Sequence, residues 1–363
     1  MRVILAGGGT GGHVYPALAM GDALRERGHE VLYVGDADRL EGRVAPQRGY
    51  DFHPIRAPRY PRGGVVGKFG FGLSLLRSIL DARALLKRLG AELVLGVGGY
   101  ISAPTVLAAW TLGIPRAIHE ANLAPGLANR LCARFADLVL LTYEDSGPRL
   151  KSRAPKETVG CPVNPKVLQG DRAAALARYG LSDQEPVLLV VGGSLGAATL
   201  NALALAAARA QNRGWQLLWI TGPGYHEQAC RDLGEPPRGV CLVKYEDRMG
   251  DAYAASDLVV ARAGSSTLAE LTALGKPALL IPSPNVTDNH QEANARGLEQ
   301  LGAAMVITEA ELQVPKVLDR VTRCMRDPHS LDLMAEASRM QGREGVAEGV
   351  AMLLESRFGA KAG

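Results

Sequence analysis

The sequence predicts an α/β protein built from two doubly wound, Rossmann-like domains. Short apolar runs rich in Val, Leu and Ile alternate with helix-like patterns along most of the chain, which is typical of βα units and a parallel sheet. Glycine clusters directly follow the first run of each half, as expected for strand-to-helix turns. A chain of 363 residues, of which 47% are hydrophobic, can supply two separate cores.

Apolar runs in the first half predict the strands of the first sheet. They lie at residues 3–6, 31–34, 93–97, 116–118 and 137–141. A helix is predicted over residues 15–27, where apolar side chains recur along one stripe. Gly28 follows that stripe and is typical of a helix end.

Residues 160–170 separate the two halves. Two prolines and several polar residues occur there without strong periodicity, which favours a hinge between domains. The second series of strands is predicted at residues 187–191, 215–220, 239–243, 257–261, 277–281 and 303–307. Helical sequence follows from residue 309 to residue 358.

Each half starts with a strand that leads into a glycine-rich turn. We call residues 7–12 the first glycine-rich loop and residues 192–197 the second. This echo predicts two similar domains that face each other across a cleft. Because ligands bind beyond the carboxyl ends of the strands in open α/β sheets, both loops are expected to face that cleft.

Composition disfavours several other classes of protein. The five cysteines are widely spaced and form no C-x-x-C pair, which argues against a disulfide framework or a structural zinc site and favours a reducing cytoplasm. The apolar run near Met1 is too short for a signal-peptide core. Aromatic residues make up 5% of the chain and no nucleic-acid motif accompanies the basic residues, so nucleic-acid binding is disfavoured.

The first glycine-rich loop satisfies G-x-G-x-x-G through Gly7, Gly9 and Gly12. Asp36 ends the second predicted strand, where dinucleotide-binding folds keep an acid for the ribose. Taken alone, these residues predict a dinucleotide-dependent oxidoreductase, and a tight turn without any ligand competes with that interpretation. The helix that follows offers N–H groups and a partial positive charge to an anion.

His13 comes directly after the first glycine-rich loop. A histidine there would project into the cleft, with a pKa easily tuned toward neutrality, as a general base requires. A hydrogen bond at the helix start and a contact to phosphate are the alternatives. The residues alone leave these roles open.

The second glycine-rich loop offers another cradle for phosphate. Ser194 adds a hydroxyl donor that can also cap the following helix. Backbone dipoles can offset part of the charge of a diphosphate, so no metal is required. Residues 36–38 have the D-x-D form of a metal site, but a solvated loop is favoured because further carboxylates are not evident nearby.

Two polar segments follow strands of the second half. Thr267 and Glu270 fit a capping box, and Glu270 also fits a carboxylate that accepts hydrogen bonds from two ribose hydroxyls. Further on, amides and an imidazole gather at a loop–helix junction, as a site that binds sugar hydroxyls requires. These residues are Asp288, Asn289, His290, Gln291 and Asn294.

A basic and apolar segment occupies residues 61–88. Residues 54–90 carry eight Lys or Arg against one Asp, although the whole chain has a net charge of only +4. The pattern fits an anionic membrane surface, where each basic residue contributes about 1 kcal/mol. In the alternative interpretation the basic residues are merely solvated and the apolar stripe faces the core, with Leu75, Leu76, Ile79 and Leu86.

Six segments together carry a family resemblance. They are GGGTGGHVYPALA near the N-terminus, GVGGYISAP at 96–104, HEAN at 119–122, GGSLGA at 192–197, ARAGSSTLAE at 261–270 and DNHQEANA at 288–295. In order and spacing they resemble the MurG family, bacterial transferases that add N-acetylglucosamine to lipid I during peptidoglycan synthesis.

The resemblance implies a GT-B fold with two Rossmann-like domains. It predicts a membrane-associating domain for the lipid I acceptor over residues 1–162, completed by a final helix at 342–358. Residues 163–341 would bind the donor, UDP-N-acetylglucosamine. By the family pattern, the donor contacts are Thr10, Gly11, Gly12, Asn122, Asn164, Gly193, Ser194, Leu195, Gly196, Glu246, Met249, Ala263, Gly264, Ser265, Thr267, Leu268, Glu270, His290 and Gln291.

We hypothesise an inverting transfer to the C4 hydroxyl of the muramyl sugar of lipid I, forming lipid II, without a metal or other cofactor. His13 is the predicted base, and Asn122 and Glu120 would orient it or the acceptor. Gly12 and Tyr100 match further acceptor-side residues of the family. A peripheral location on the cytoplasmic face of the plasma membrane is expected, bound to the anionic leaflet through Lys68, Phe69, Phe71, Leu75, Arg77 and Ile79.

Two positions depart from the family pattern. Where the family usually reads G-N-P-V-R at the hinge, the corresponding segment of this chain, residues 160–164, has Asn164 in the last position. An arginine expected near the donor phosphates is therefore absent. Lys166 is a candidate substitute. The amide pair of some members is His290-Gln291 here, a milder change because imidazole also donates and accepts. The missing arginine favours a third class, a non-catalytic nucleotide-sugar binding protein.

Overall fold

The computed structural model describes residues 1–58, 65–286 and 289–359, with the backbone alone for 65–69. The chain divides into two compact units, Met1–Asn164 with Gly345–Gly363, and Pro165–Glu344. The sequence predicted the divisions after residues 162 and 341. Each unit is an α/β structure with its own parallel sheet.

The sheet of the first unit has seven strands among the described residues, in the order β3-β2-β1-β4-β5-β6-β7, and all neighbours are parallel. The strands are β1 Arg2–Gly7, β2 Glu30–Gly35, β3 Asp51–Pro54, β4 Leu93–Gly98, β5 Arg116–Glu120, β6 Leu138–Leu141 and β7 Lys156–Thr158. The two edge strands, β3 and β7, were not predicted. Both are short, and partly exposed polar residues replace the apolar run of a buried strand.

Helices cover both faces of this first sheet. They are α1 Gly11–Glu26, α2 Leu40–Gln47, α3 Val65–Leu89, α4 Ser102–Leu112, α5 Leu127–Cys132 and, at the end of the chain, α14 Val346–Phe358, with a 3₁₀ helix at Glu144–Arg149. Strand β1 serves both faces because alternate side chains point in opposite directions. Val3 and Leu5 pack with α1 and α14, whereas Ile4 packs with α3 and α4.

The sheet of the second unit has six parallel strands among the described residues, in the order β10-β9-β8-β11-β12-β13. The strands are β8 Val187–Val191, β9 Gln216–Ile220, β10 Val240–Val243, β11 Leu258–Ala261, β12 Ala278–Leu280 and β13 Met305–Val306. The helices are α6 Arg172–Tyr179, α7 Ala198–Arg209, α8 His226–Leu233, α9 Met249–Ala255, α10 Ser265–Leu274, α11 His290–Gln300, α12 Val314–Met325 and α13 Pro328–Met340, with a 3₁₀ helix at Pro165–Leu168.

The strand order explains where ligands can bind in each unit. The first glycine-rich loop follows β1, and β1 lies between β2 and β4. The second follows β8, and β8 lies between β9 and β11. In both sheets the strand order therefore reverses beside a glycine-rich loop, which is the point where open α/β sheets bind ligands.

Candidate active site

The first glycine-rich loop packs tightly against the loop after β4. Gly9 and Gly99 both have a positive φ, and a Cβ at Gly99 would collide with the backbone oxygen of Gly8. A Cβ at Gly9 would lie 3.2 Å from the ring of Tyr100. Glycine is therefore required for this close approach of two backbones.

His13 lies inside the first turn of α1. The sequence predicted a helix from residue 15, but α1 begins at Gly11 with Thr10 as its N-cap. The His13 Nδ1 and the Thr10 hydroxyl are 3.2 Å apart. The other edge of the ring lies over Gly98, where an added Cβ would be 2.9 Å from Nε2. The absence of a side chain at Gly98 thus leaves room for the imidazole.

Glu120 orders the loop that follows β5. Its side chain is 1% exposed and accepts four hydrogen bonds, from the backbone N–H groups of Asn122 and Gly126 and from the side-chain amides of Asn122 and Asn129. Burial raises the pKa of the Glu120 carboxyl, and the hydrogen bonds lower it in part. All four donors belong to the same segment of the first unit, and two of them belong to Asn122. The carboxylate therefore positions Asn122.

Asn129 belongs to this cluster and was not predicted from the sequence. Its Nδ2 donates to the backbone oxygen of His119 and to Glu120, and it lies 3.5 Å from the place of a Cβ on Gly98. The side chains of Asn129 and His13 therefore approach the same glycine. An asparagine on an apolar helix near a predicted acid was the only signal in the sequence.

Asp36 is engaged within its own unit. Its side chain accepts from the Tyr100 hydroxyl at 2.7 Å and from the backbone N–H of Asp38 at 3.0 Å. The second contact is an Asx turn, which agrees with the loop favoured over a metal site for residues 36–38. Among the described residues, no group of three or more His, Cys, Asp or Glu is placed to hold a metal ion.

The second glycine-rich loop forms a turn closed by a hydrogen bond from Gly196 N–H to the oxygen of Gly193, at 3.1 Å. Helix α7 begins only at Ala198, and no side chain caps it. The prediction that Ser194 caps this helix was therefore wrong, because Ser194 lies too far ahead of its first turn. An uncapped helix start beside a glycine turn is a suitable place for an anion.

The shape of this loop is fixed by the loop after β9. Gly196 has φ +78, and a Cβ there would collide with the backbone oxygen of Thr221. Gly222 also has a positive φ, and a Cβ on it would lie 2.5 Å from the Gly196 Cα. Leu195 at the tip is 71% exposed. The backbone of the loop is thus held from one side and open on the other.

Glu270 lies on α10 and is held by a tyrosine. The helix begins at Ser265, with Gly264 as its N-cap. The interpretation of Thr267 and Glu270 as a capping box is therefore wrong, because both residues already lie inside the helix. The Tyr253 hydroxyl donates to Glu270 Oε2 at 2.7 Å. Burial raises the pKa of the Glu270 carboxyl to about 7, and the hydrogen bond from Tyr253 lowers it in part.

A partly buried ion pair connects the loops around α7. Arg262, directly after β11, bonds the carbonyl oxygens of Ile281 and Pro282 and pairs with Glu309. The same Glu309 oxygen accepts from the Thr199 hydroxyl in the first turn of α7, at 2.7 Å. None of these contacts could be predicted from the sequence, because they join segments that are far apart in the chain.

The remaining predicted donor residues lie at the carboxyl edge of the second sheet. The Glu246 side chain is locked by the Tyr179 hydroxyl, Arg178 and the backbone N–H of Arg248, so its backbone is the part left for a ligand. The side-chain oxygen of Gln291 accepts from the backbone N–H of Ser283 at 2.9 Å. Ala263, Ser265 and Leu268 are buried. Helix α9 starts at Met249, and helix α11 starts at His290. Thr287 and Asp288 lie outside the described residues.

The hinge residues belong to different units. Asn164 ends the first segment of the first unit, and Lys166 lies in the 3₁₀ helix that starts the second. The conformation of the preceding Gly160, with φ +95, requires glycine. Gly160 is held by the buried His119, whose Nε2 lies 2.9 Å from its oxygen. Burial lowers the pKa of His119 to about 4, so the imidazole is neutral.

Helix α3 carries an exposed apolar line that differs from the predicted one. Leu73, Leu76 and Leu80 are 55–59% exposed and recur on one helix face. Ile79 was expected at the membrane, but it packs against the core, which corrects that prediction. Arg77 is exposed, Phe71 and Leu75 are partly buried, and the side chains of Lys68 and Phe69 lie outside the described ones. No described helix is both long and apolar enough to cross a membrane.

The matching family models and the sequence relatives agree on one family. Residues 3–141 match the glycosyltransferase family 28 N-terminal domain, and residues 187–350 match its C-terminal domain. Two relatives, from Halothermothrix orenii and Desulforudis audaxviator, share 40% and 37% identity. The matches cover 94% and 99% of this chain and 95% and 99% of the relatives. Both are named UDP-N-acetylglucosamine–N-acetylmuramyl-(pentapeptide) pyrophosphoryl-undecaprenol N-acetylglucosamine transferase.

A solved structure supports the same assignment. The crystal structure of Acinetobacter baumannii MurG matches with a TM-score of 0.77 and 27% identity, over 98% of this chain and 99% of that one. This likeness confirms the GT-B fold that the resemblance implied. The chain therefore belongs to the MurG family of glycosyltransferases, within glycosyltransferase family 28.

Proposed function

We propose that this chain transfers N-acetylglucosamine from UDP-N-acetylglucosamine to the C4 hydroxyl of the muramyl sugar of lipid I, forming lipid II. The observation that carries the proposal is similarity over nearly the full length to transferases of that name. The sites of both units support it, because each has a glycine-rich loop at the carboxyl edge of a parallel sheet. The dinucleotide alternative gains no support, since Asp36 is already bonded to Tyr100.

The chemical step that we propose is an inverting displacement. The acceptor C4 oxygen attacks C1 of the donor sugar on the face opposite the departing UDP, and the C1–oxygen bond to the diphosphate breaks. His13 accepts the proton of the attacking hydroxyl, which its place over Gly98 supports. Asn122 orients the reacting groups and is itself held by Glu120. Gly12 and Tyr100 contribute to the acceptor side.

The negative charge that develops on UDP would be met by the second glycine-rich loop. The uncapped start of α7 supports this role, because its N–H groups and the helix dipole favour an anion without a metal. Glu270 would accept from the ribose hydroxyls through the oxygen that does not bond Tyr253. The backbone near Glu246 and Met249 would contact the uracil. Residues 263–268 and 290–291, at the starts of α10 and α11, would contact the diphosphate and the sugar.

The experiment that tests this function is UDP release from UDP-N-acetylglucosamine, with and without a lipid I analogue, in the presence of EDTA. We expect release that depends on the acceptor and survives the chelator. Release abolished by EDTA would contradict the metal-independent step. Donor binding without any release would instead favour the nucleotide-sugar binding protein, and stabilisation by NAD but not by UDP would favour the oxidoreductase.

A second proposal concerns the location of the enzyme at the cytoplasmic face of the plasma membrane. The exposed line of Leu73, Leu76 and Leu80 supports docking on a lipid surface, and Arg77 on the same helix supports an anionic one. Leu76→Ser should weaken binding to anionic vesicles in flotation, whereas Leu333→Ser, an equally exposed leucine of the second unit, should not. Equal binding to neutral and anionic vesicles at low salt would contradict the electrostatic part.

A further inference from the structure

Glu41 is a fully buried carboxylate beside the first glycine-rich loop. Its side chain is 0% exposed. One oxygen accepts from the backbone N–H of Gly9 at 3.0 Å, and the other accepts from the backbone N–H of Asp36 at 3.3 Å. A Cβ on Gly8 would collide with this carboxylate. The loop is therefore folded directly onto an acid of its own chain.

No cation neutralises this acid within the part of the chain that the structure describes. Its hydrogen-bond partners there are the backbone N–H groups of Gly9 and Asp36, with no lysine, arginine or histidine among them. The acid of the second unit differs, because Glu309 near α7 is paired with Arg262. A phosphate that approached the first loop would meet the two oxygens of this buried side chain, which only accept hydrogen bonds, and would find the N–H of Gly9 already bonded. Both features disfavour phosphate binding at this loop.

The carboxylate also closes a ring of contacts that places acceptor-side residues. Glu41 holds the backbone of Gly9 and of Asp36. The side chain of Asp36 accepts from the Tyr100 hydroxyl, and the Tyr100 ring packs on Gly9. The ring thereby joins the loops that follow β1, β2 and β4. His13 follows the first of these loops, so its position depends on the same contacts.

We propose that Glu41 is a positioning residue that takes the place of a bound anion in the first glycine-rich loop. The loop then presents His13 and Tyr100 to the uncharged muramyl sugar of the acceptor and does not hold the acceptor diphosphate. This inference rests on the proposed function. The G-x-G-x-x-G pattern suggests a loop that binds phosphate, but here the N–H of Gly9 already donates to Glu41. The loop therefore positions acceptor-side residues and does not bind an anion.

The first test uses the full-length protein, labelled with ¹⁵N and saturated with UDP so that a diphosphate site in the second unit is filled. Methylenediphosphonate and an N-acetylmuramyl peptide without phosphate are titrated separately, and the Gly9 amide resonance is followed. We expect a saturable shift with the muramyl peptide and none with the diphosphonate. A saturable shift with the diphosphonate, or no shift with the muramyl peptide, would overturn the proposal.

The second test is kinetic and uses Glu41→Gln, which keeps the size of the side chain and removes its charge. We expect kcat to fall about 10- to 100-fold, as for a misplaced reacting group, while the KM for UDP-N-acetylglucosamine changes less than about twofold. Glu26→Gln, an exposed acid of α1 without a role in the site, should behave as wild type. An unchanged kcat for Glu41→Gln would refute the positioning role.

The two tests separate this inference from the proposed function. If Glu41→Gln does not fold, as its melting curve would show, the titration of the wild-type protein decides alone. If the wild-type protein releases no UDP with a lipid-linked acceptor, the proposed function fails regardless of Glu41. Normal UDP release together with a diphosphonate shift at Gly9 would overturn only the role given to Glu41.

Discussion

Three glutamates show how the surroundings decide what a carboxylate can do. Glu120 accepts hydrogen bonds from four N–H donors of its own unit and orders the loop after β5. Glu41 accepts two backbone N–H groups and closes the first glycine-rich loop. Glu270 is held at one oxygen by Tyr253, which leaves the other for a ligand. Each role follows from the partners and not from the residue type.

Replacement of His13 tests the proposed base. Because a general base typically contributes 10²- to 10⁴-fold, we expect His13→Ala to lower kcat by about that factor and to leave the melting temperature nearly unchanged. His226→Ala, at the start of α8 in the second unit, is the matched control and should keep its activity. Near-wild-type turnover of His13→Ala would remove His13 from this role.

The raised pKa of Glu270 predicts a pH dependence of stability. Since folding raises this pKa from 4.5 to about 7, its contribution to stability is complete below about pH 4.5 and is lost as the pH rises through 7. Glu270→Gln removes the cost of a buried charge, so its melting temperature relative to wild type should rise between pH 5 and pH 8. A difference that does not change with pH would show that Glu270 titrates normally.

At the scale of elements, the central strands of both sheets and the edge strands of the second sheet were predicted from the sequence, whereas the edge strands of the first sheet were not. A central parallel strand is buried on both faces, so it appears as a continuous apolar run, such as residues 187–191. The edge strands β3 and β7 contain polar residues and form because a neighbour offers free backbone groups. The starts of some helices were also predicted wrongly, because α1, α7 and α10 begin without the side-chain cap by which a helix start is recognised in a sequence.

The turn before α7 yields a prediction about glycine. Gly196→Ala would place a side chain at a positive φ and against the Thr221 backbone. We expect the affinity for the donor to fall and the free energy of unfolding to decrease by about 2 kcal/mol or more. Gly180→Ala is the control, because Gly180 has a similar positive φ and open space around it. It should cost about 1–2 kcal/mol and leave the donor KM unchanged. Equal effects would show that the packing at Gly196 is unimportant.

Helix α14 is fastened to the first unit by a cluster of charges. Glu355 pairs with Arg27 and with His29, and the hydrogen bonds from these two residues lower the pKa of Glu355 to about 2. A lowered pKa contributes stability above the unfolded value of 4.5, and this contribution is lost as the pH falls through 2.

Glu355→Gln should therefore melt at a lower temperature than wild type at pH 7, and the difference should shrink as the pH falls from 5 toward 2. The control is Glu348→Gln, an exposed acid on the same helix. If both variants melt alike at pH 7, the cluster does not fasten the helix.

At the scale of the whole molecule, the sequence predicted the two-domain α/β architecture and the loops that carry the site. Those features depend on local patterns, namely apolar runs and glycines at strand ends. The contacts that hold the site depend on distant segments, such as Asn129 with Glu120 and Arg262 with Glu309. Glu41 was overlooked because an acid in the first turn of a helix such as α2 is common on electrostatic grounds alone.

The proposed reaction transfers N-acetylglucosamine from UDP-N-acetylglucosamine to the lipid-linked muramyl sugar. Mass spectrometry of the lipid product, after incubation of the protein with both substrates and EDTA, tests it most directly. We expect a gain of one N-acetylhexosamine on the acceptor for each UDP released. UDP release with an unchanged acceptor mass would contradict it.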